Sequence, residues 1–158
     1  MIRELTRKKQ QLSRAECLEL LQSQLRGVLS VQGDGGYPYG MPINYYYNPE
    51  DGKLYFHSGK TGHRSDALRG CDKASFCVLD QGVREPGDWF LTFRSVIIFG
   101  RIEMVEERER IYELAARLSR RFTGDEAYIQ QEIRQSGPAT LMFALVPEQI
   151  TGKRVREK

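Results

Sequence analysis

The sequence predicts a mainly β domain, a closed antiparallel β-barrel of six strands with a few flanking helices. Three observations lead there. Stretches rich in β-branched and aromatic residues recur along the chain and are joined by connections marked by Gly, Pro, Asn and Asp. Helical periodicity is confined to a segment near the N-terminus, a short one near the middle and a late insertion. Most successive strands are joined by short connections without a helix, and no GxGxxG or P-loop pattern follows any of them, so a parallel βαβ arrangement is not expected.

Residues 1–12 are charged and read as a flexible arm, loose or wrapped on a neighbouring subunit; 13–153 read as one domain and 154–158 as a basic tail. Ser13 and Glu16 have the spacing of a capping box. Cys17, Leu20, Leu21 and Leu25 follow at helical spacing, with Gly27 as the expected stop. Val28–Val31 is the first strand, and the turn 33–36 (GDGG) favours a hairpin. Tyr37–Tyr47 is the second; Pro38 and Pro42 within it imply an edge, a bulge, or backbone groups aimed elsewhere than at a neighbouring strand. The turn 48–52 leads into Lys53–Ser58, completing an expected three-strand meander.

A loop at 59–62 and a short helix at His63–Leu68, closed by Gly70, precede the strand Ala74–Leu79. Beyond a polar loop with Pro86 and Gly87, Trp89–Val105 reads as one long strand. Ile111, Leu114, Ala115, Leu118 and Phe122 mark the buried face of a helix, and a second helix over about Asp125–Gln135 ends at Gly137 and Pro138. Leu141, Phe143 and Leu145 alternate in the last strand, Ala139–Ile150.

At 158 residues a single domain is expected. The 24 basic and 21 acidic residues leave a net charge of +3, a mild field that does not suggest a nucleic-acid binder. Tyr45, Tyr46, Tyr47 and Phe56 could in principle stack on single-stranded bases, but aromatics at strand spacing belong first to a core. Cys17, Cys71 and Cys77 form no CxxC pair, the first residues are polar and basic rather than leader-like, and the apolar run 95–100 is too short for a bilayer. A reducing, cytoplasmic setting is therefore expected. Cys17 and Cys77 sit at apolar positions and read as buried and inert. With two histidines and no carboxylates clustered beside them, no metal site is expected.

The most informative stretch is 54–66 (LYFHSGKTGHRSD), which holds both histidines, His57 and His63. Ser58, Lys60, Thr61, Gly62 and Arg64 share this strand end and loop, which runs into a helix start. Free N–H groups there, with cations and hydroxyls, form a cradle for phosphate; a solvated surface loop is the plainer alternative. In 36–44 (GYPYGMPIN), Pro42 frees backbone groups that could pair with a flat heterocycle, although an irregular edge strand would look the same. Arg94 and Ser95 lie inside the apolar strand 89–100, where polar groups need partners from a ligand or a second subunit.

Taken in order, 36–42 (GYPYGMP), 55–64 (YFHSGKTGHR), 93–100 (FRSVIIFG) and 151–153 (TGK) resemble the pyridoxamine phosphate oxidase-like FMN-binding split barrels, nearest to their nitroimidazole-resistance branch. The likeness runs from about residue 13 to residue 153, and the 55–64 block is its specific part. It implies a six-stranded, Greek-key-like split barrel that forms a homodimer with FMN in the clefts between subunits. By position, Pro42, Ile43 and Asn44 would face the isoalloxazine ring. His57 and Ser58 would line the cleft, and Lys60, Gly62, His63 and Arg64 would hold the phosphate. Arg94 and Ser95 would lie near the cofactor, reaching it from the partner subunit. A histidine near the flavin, His57 or His63, would bear on reactivity. The sequence departs from the vitamin B6 oxidases, which carry an Arg-Lys pair in the phosphate loop and a C-terminal motif with tryptophan and arginine. Here the loop has His63 and Arg64, and Trp89 lies elsewhere, so oxidation of that vitamin is not expected.

The expected activity is an FMN-dependent reductase that draws electrons from a nicotinamide-type donor, with nitroaromatic compounds as acceptors. The alternative is a module that stores, senses or delivers flavin without turnover. A deazaflavin or haem in place of FMN is a further option within such barrels.

Overall fold

In the computed structural model, which describes residues 1–158, helix α1 spans Arg14–Ser23 and opens on the predicted capping box. The Glu16 N–H donates to Ser13 Oγ at 3.2 Å, and the Ser13 N–H donates to Glu16 Oε2 at 2.8 Å. Two N–H groups that the helix cannot satisfy are thereby paired. Cys17, Leu20 and Leu21 are buried as the periodicity requires. The helix ends at Ser23 and leaves Leu25 exposed outside it. Gly27 has a different role: it lies in β1 (Arg26–Gln32), where a Cβ would come 2.5 Å from the Phe76 ring and 2.6 Å from the Cys77 carbonyl.

The remaining strands are β2 (Pro38–Asn44), β3 (Tyr46–Asn48), β4 (Lys53–Gly59), β5 (Lys73–Leu79), β6 (Thr92–Val105) and β7 (Thr140–Arg156). They form one antiparallel sheet in the order β2-β1-β5-β6-β7-β4-β3. The count is seven rather than six because the stretch 37–47 breaks at Tyr45. Its two parts then serve opposite edges of the sheet. Laid flat, seven strands at ~4.8 Å spacing would hold those edges about 29 Å apart, whereas one residue reaches only ~3.5 Å. The sheet therefore curls until β2 and β3 meet end to end, which gives the mainly β, split-barrel architecture expected. It also replaces the three-strand meander: β4 pairs with the short β3 on one side and with β7 on the other.

Tyr45 fixes this seam. Its side chain is fully buried, its hydroxyl donates to the Leu21 carbonyl at 2.7 Å, and its ring meets Phe76 edge-on at 5.0 Å. Leu29, Phe56, Phe76, Ile98 and Phe143 fill the interior around it. With Tyr45, Tyr47 and Phe56 all in the core, those rings are not available to stack on bases.

Strands β6 and β7 form the longest ladder, with a bulge at Phe99 and Gly100. A Cβ on Gly100 would lie 2.2 Å from the Val146 carbonyl, so the crossing needs glycine. β6 begins at Thr92, after Trp89, which is exposed in the preceding loop. β7 continues past Ile150 to Arg156 because its second half pairs with the start of β6. Gly152 of the 151–153 motif packs on the α1 side, where a Cβ would come 2.7 Å from Cys17 Sγ. The buried Leu12 donates its N–H to the Gly152 carbonyl at 2.9 Å.

Helices α2 (His63–Gly70), α3 (Arg108–Ser119) and α4 (Glu126–Ser136) complete the chain. α3 covers the sheet face bearing Tyr55, Met142 and Ala144, and α4 packs on α3 through Ile129 and Ile133. Phe122, expected on the buried face, lies beyond the helix end and is exposed. Cys77, expected buried, is half-buried: Phe76 and Val78 take the inward positions and turn it outward.

Candidate functional site

Strand β2 is an edge strand, and its outer backbone edge faces away from β1. Pro42, Ile43 and Asn44 of β2 line a cavity of about 410 Å³ together with Arg26, His57 and Arg64. Three segments far apart in sequence thus meet at one place. Arg26 is a site residue that the sequence did not single out. It lies opposite Asn44 across the β1–β2 ladder and donates through Nε to Asn44 Oδ1 at 2.9 Å. Its signal, a lone cation at the head of an apolar strand, has meaning only once the register is known.

Residues 60–62 hand the chain from β4 to α2, whose Arg64 lines this cavity. Gly62 is the N-cap with φ of 110°, a left-handed conformation that only glycine adopts without strain, and no side chain caps the helix. The N–H groups of the first turn have no partner within the helix. The loop is pinned from behind: the buried Ser65 donates through Oγ to the Gly62 carbonyl at 2.9 Å, and Arg69 donates to the Lys60 carbonyl at 3.1 Å. Neither anchor was apparent in the sequence, because each acts on a backbone carbonyl.

Charge is distributed unevenly. Arg94, Arg101, Arg110, Arg117, Arg120, Arg154 and Arg156 all pair with carboxylates of the chain. Lys60 and Arg64 pair with none, like Arg26 and Arg69 near them and several other cations of the chain. His63 turns to the other side, with its ring stacked on Tyr39 and Nε2 3.8 Å from Asp34 Oδ2. The His57 side chain keeps contact with solvent, but partial desolvation, with the Arg64 guanidinium, holds its pKa below the usual histidine value. Ser58 is half-buried at the same strand end.

Arg94 and Ser95 stand apart from this group within the chain. Arg94 donates through Nε to Asp80 at 3.0 Å and through Nη1 to Glu19 at 2.8 Å, so the partners its strand position demands come from its own chain. Burial works against ionisation of Asp80, but hydrogen bonds from Arg94 and Gly82 hold its carboxyl below the ordinary aspartate range. Ser95 lines a different cavity, of about 330 Å³, with Ile97, Phe99 and Lys153.

The family profile described as pyridoxamine 5′-phosphate oxidase matches residues 13–154, nearly the whole chain. The chain belongs to this family. None of the curated proteins compared matches it. Among solved structures, it is similar to a conserved hypothetical protein of Mycobacterium tuberculosis (TM-score 0.81, 22% identity, 96% of this chain and 90% of that one). A candidate 5-nitroimidazole antibiotic resistance protein of Bacteroides thetaiotaomicron gives a TM-score of 0.74 at 18% identity, with coverage of 91% and 86%. The FAD and heme binding protein of Mycobacterium smegmatis gives 0.74 at 23%, with coverage of 94% and 74%. These likenesses support the family's fold for this chain. No helix is long and apolar enough to cross a membrane.

Proposed function

We propose that this chain binds FMN in the cleft of Pro42, Ile43, Asn44 and His57, with the phosphate at the start of α2, and acts as an FMN-dependent reductase in a homodimer. The observation that carries this reading is the uncapped start of α2 with two unpaired cations beside it in sequence, Lys60 and Arg64, the second of which lines the cavity. A dianion is the group such a place fits: two cations and free N–H donors supply charge-assisted hydrogen bonds, and the helix dipole adds to them. The donor set therefore suits a phosphate. The edge of β2 suits a flat ring with donors and acceptors along its rim.

Bound flavin supplies the two-electron redox chemistry. The chain's own residues bind and orient it. Arg26, fixed by Asn44, keeps a permanent cation on the cavity wall, where it would offset negative charge on the reduced ring. His57 stays neutral near pH 7 and can give or accept a proton at the cavity without adding charge. Ser58 and Gly62 complete the wall and the phosphate loop, and His63 keeps that loop against β2.

An apolar row supports a face for the second copy. Pro42, Val28, Cys77 and Ile97 are successive ladder partners across β2, β1, β5 and β6, so their side chains share the outer face. Val28, Ile97, Phe99 and Leu79 are exposed there. The row runs from the cleft across the sheet, and Ser95 beside Leu79 lies on the same face. A two-fold contact on this face would cover it and bring Ser95 and Arg94 of one copy toward the flavin of the other. The support for a nitroaromatic acceptor is the likeness to the Bacteroides protein together with the resemblance in 55–64.

Two measurements test the reading. FMN titration of the wild type and of the Lys60→Ala/Arg64→Ala variant, read by quenching of flavin fluorescence, should show a loss of affinity of about 100-fold or more, from two charge-assisted contacts at ~1.5–3 kcal/mol each. Equal affinity overturns the site. Anaerobic addition of a reduced nicotinamide should then bleach the flavin within the time of turnover. A flavin that stays oxidised identifies a storage or sensing module instead.

A further inference from the structure

A second hollow, of about 250 Å³, lies between α3, α4 and the start of β7, and His57 forms part of its wall as well as of the flavin cleft. The hollow opens to solvent past the exposed Tyr128, Glu132 and Ser136, so a small molecule could enter it from outside. Ile111 and Ala115 of α3 and Ile129 and Ile133 of α4 give it aliphatic walls. Those walls are fixed in place. A Cβ on Gly137, at the end of α4, would lie 2.6 Å from the Tyr112 ring, so the two helices already touch as closely as glycine permits.

The polar part of the lining is sparse and convergent. Thr140 Oγ1 donates to the Ser136 carbonyl at 2.9 Å, whereas the hydroxyls of Ser119 and Tyr128 make no hydrogen bond within the protein. Glu132 is the one acidic or basic side chain besides His57 on the lining, and it forms no ion pair. Apolar walls with a few uncommitted polar groups are what small-molecule sites look like, and the volume stands near the lower end of their ~300–1,000 Å³ range. A lone carboxylate at the mouth admits neutral and cationic molecules and repels anions.

We propose that this pocket binds a small, largely apolar molecule that is neutral or singly cationic, and discriminates against anions through Glu132. Its position beside the flavin rests on the reading of the adjoining cleft given above; its preference among ligands does not.

The test uses three naphthalenes of one size on the full chain, followed by protein NMR: 2-naphthylmethanol, 2-naphthylmethylammonium and 2-naphthoate. The alcohol and the ammonium should bind saturably and shift the methyl signals of Ile129 and Ile133, with naphthoate weaker by about tenfold or more. Glu132→Gln, an exposed and conservative change, should bring naphthoate to within about twofold of the alcohol. Ser136→Trp, at the exposed rim, should block both while leaving FMN affinity unchanged. Equal binding of all three probes, or binding that survives Ser136→Trp, would each overturn the proposal. FMN affinity is read separately, by flavin fluorescence, so failure of the flavin cleft leaves the outcome here intact.

Discussion

The His63 imidazole lies flat against the Tyr39 ring, with centroids 4.1 Å apart and planes within 10° of parallel. One ring belongs to the edge strand β2 and the other to the first residue of α2, so the stack ties the ring end of the proposed flavin site to its phosphate end. Asp34, in the hairpin turn before β2, faces the same imidazole at 3.8 Å. His63 is thereby a brace for the loop, and in the proposed site the binding falls to the cations beside it.

Removing the stack should loosen the brace without touching Lys60 or Arg64. Tyr39→Ala is expected to weaken FMN binding by about 2- to 10-fold, the worth of an aromatic pair at ~0.5–1.5 kcal/mol. Tyr39→Phe should retain wild-type affinity, because the ring and not the hydroxyl makes the contact. Fluorescence titration of both variants checks this. An equal loss in the two would assign the effect to the hydroxyl instead.

Arg121 is the strongest tie at the seam of the barrel. It donates to the Gln22, Gln24 and Tyr45 carbonyls and lies over the Tyr45 ring at 4.9 Å, joining the end of α1 to the point where the sheet closes. Arg121→Met keeps the stem and deletes the donors, leaving partly buried carbonyls without partners. A loss of about 3 kcal/mol is expected, from hydrogen bonds to a charged group at ~1.5–3 kcal/mol each, not fully additive. Urea unfolding monitored by far-UV dichroism measures it.

Much of the fold was legible because it depends on local chemistry. Ser13 and Glu16 announce a helix start that any context would honour, and the alternation of Leu141, Phe143 and Leu145 needs only a sheet to face. Tyr45 was not legible: nothing local distinguishes a tyrosine in a continuous strand from one at which the strand passes from one edge of a sheet to the other. The same holds for the site. The cations around Gly62 are adjacent in sequence and could be read together, whereas Arg26 joins them only through its register with Asn44. Arg94 looked like a residue in need of a ligand because Asp80 and Glu19, which satisfy it, lie on other elements.

Burial raises the Tyr45 pKa to about 12 against the opposing pull of Arg121, and burial, helped by the Asp51 hydrogen bond, raises Tyr55 likewise to about 12. Each stands above its ordinary value near 10, so the folded state holds these protons more tightly than the unfolded chain does. The stability they confer is complete below pH 10 and is lost as pH rises toward 12. Denaturation midpoints should therefore fall across that interval, and spectrophotometric titration should find two phenols that ionise late. Tyr45→Phe should remove one late phenol and flatten part of the fall.

His57 shifts the opposite way and supplies the sharpest check on the cavity itself. Desolvation comes first and the Arg64 charge second in pushing its pKa below the usual value. The unfolded chain then binds the His57 proton more tightly than the folded one, and stability is lost as pH falls below the ordinary histidine value toward the depressed one. Replacing Arg64 with Gln removes only the second cause, so the pKa should rise part of the way back. NMR titration of the His57 ring protons in wild type and variant reads this directly. Two superimposable His57 curves would mean that Arg64 does not face this ring, and the cavity that both are said to line would have to be redrawn.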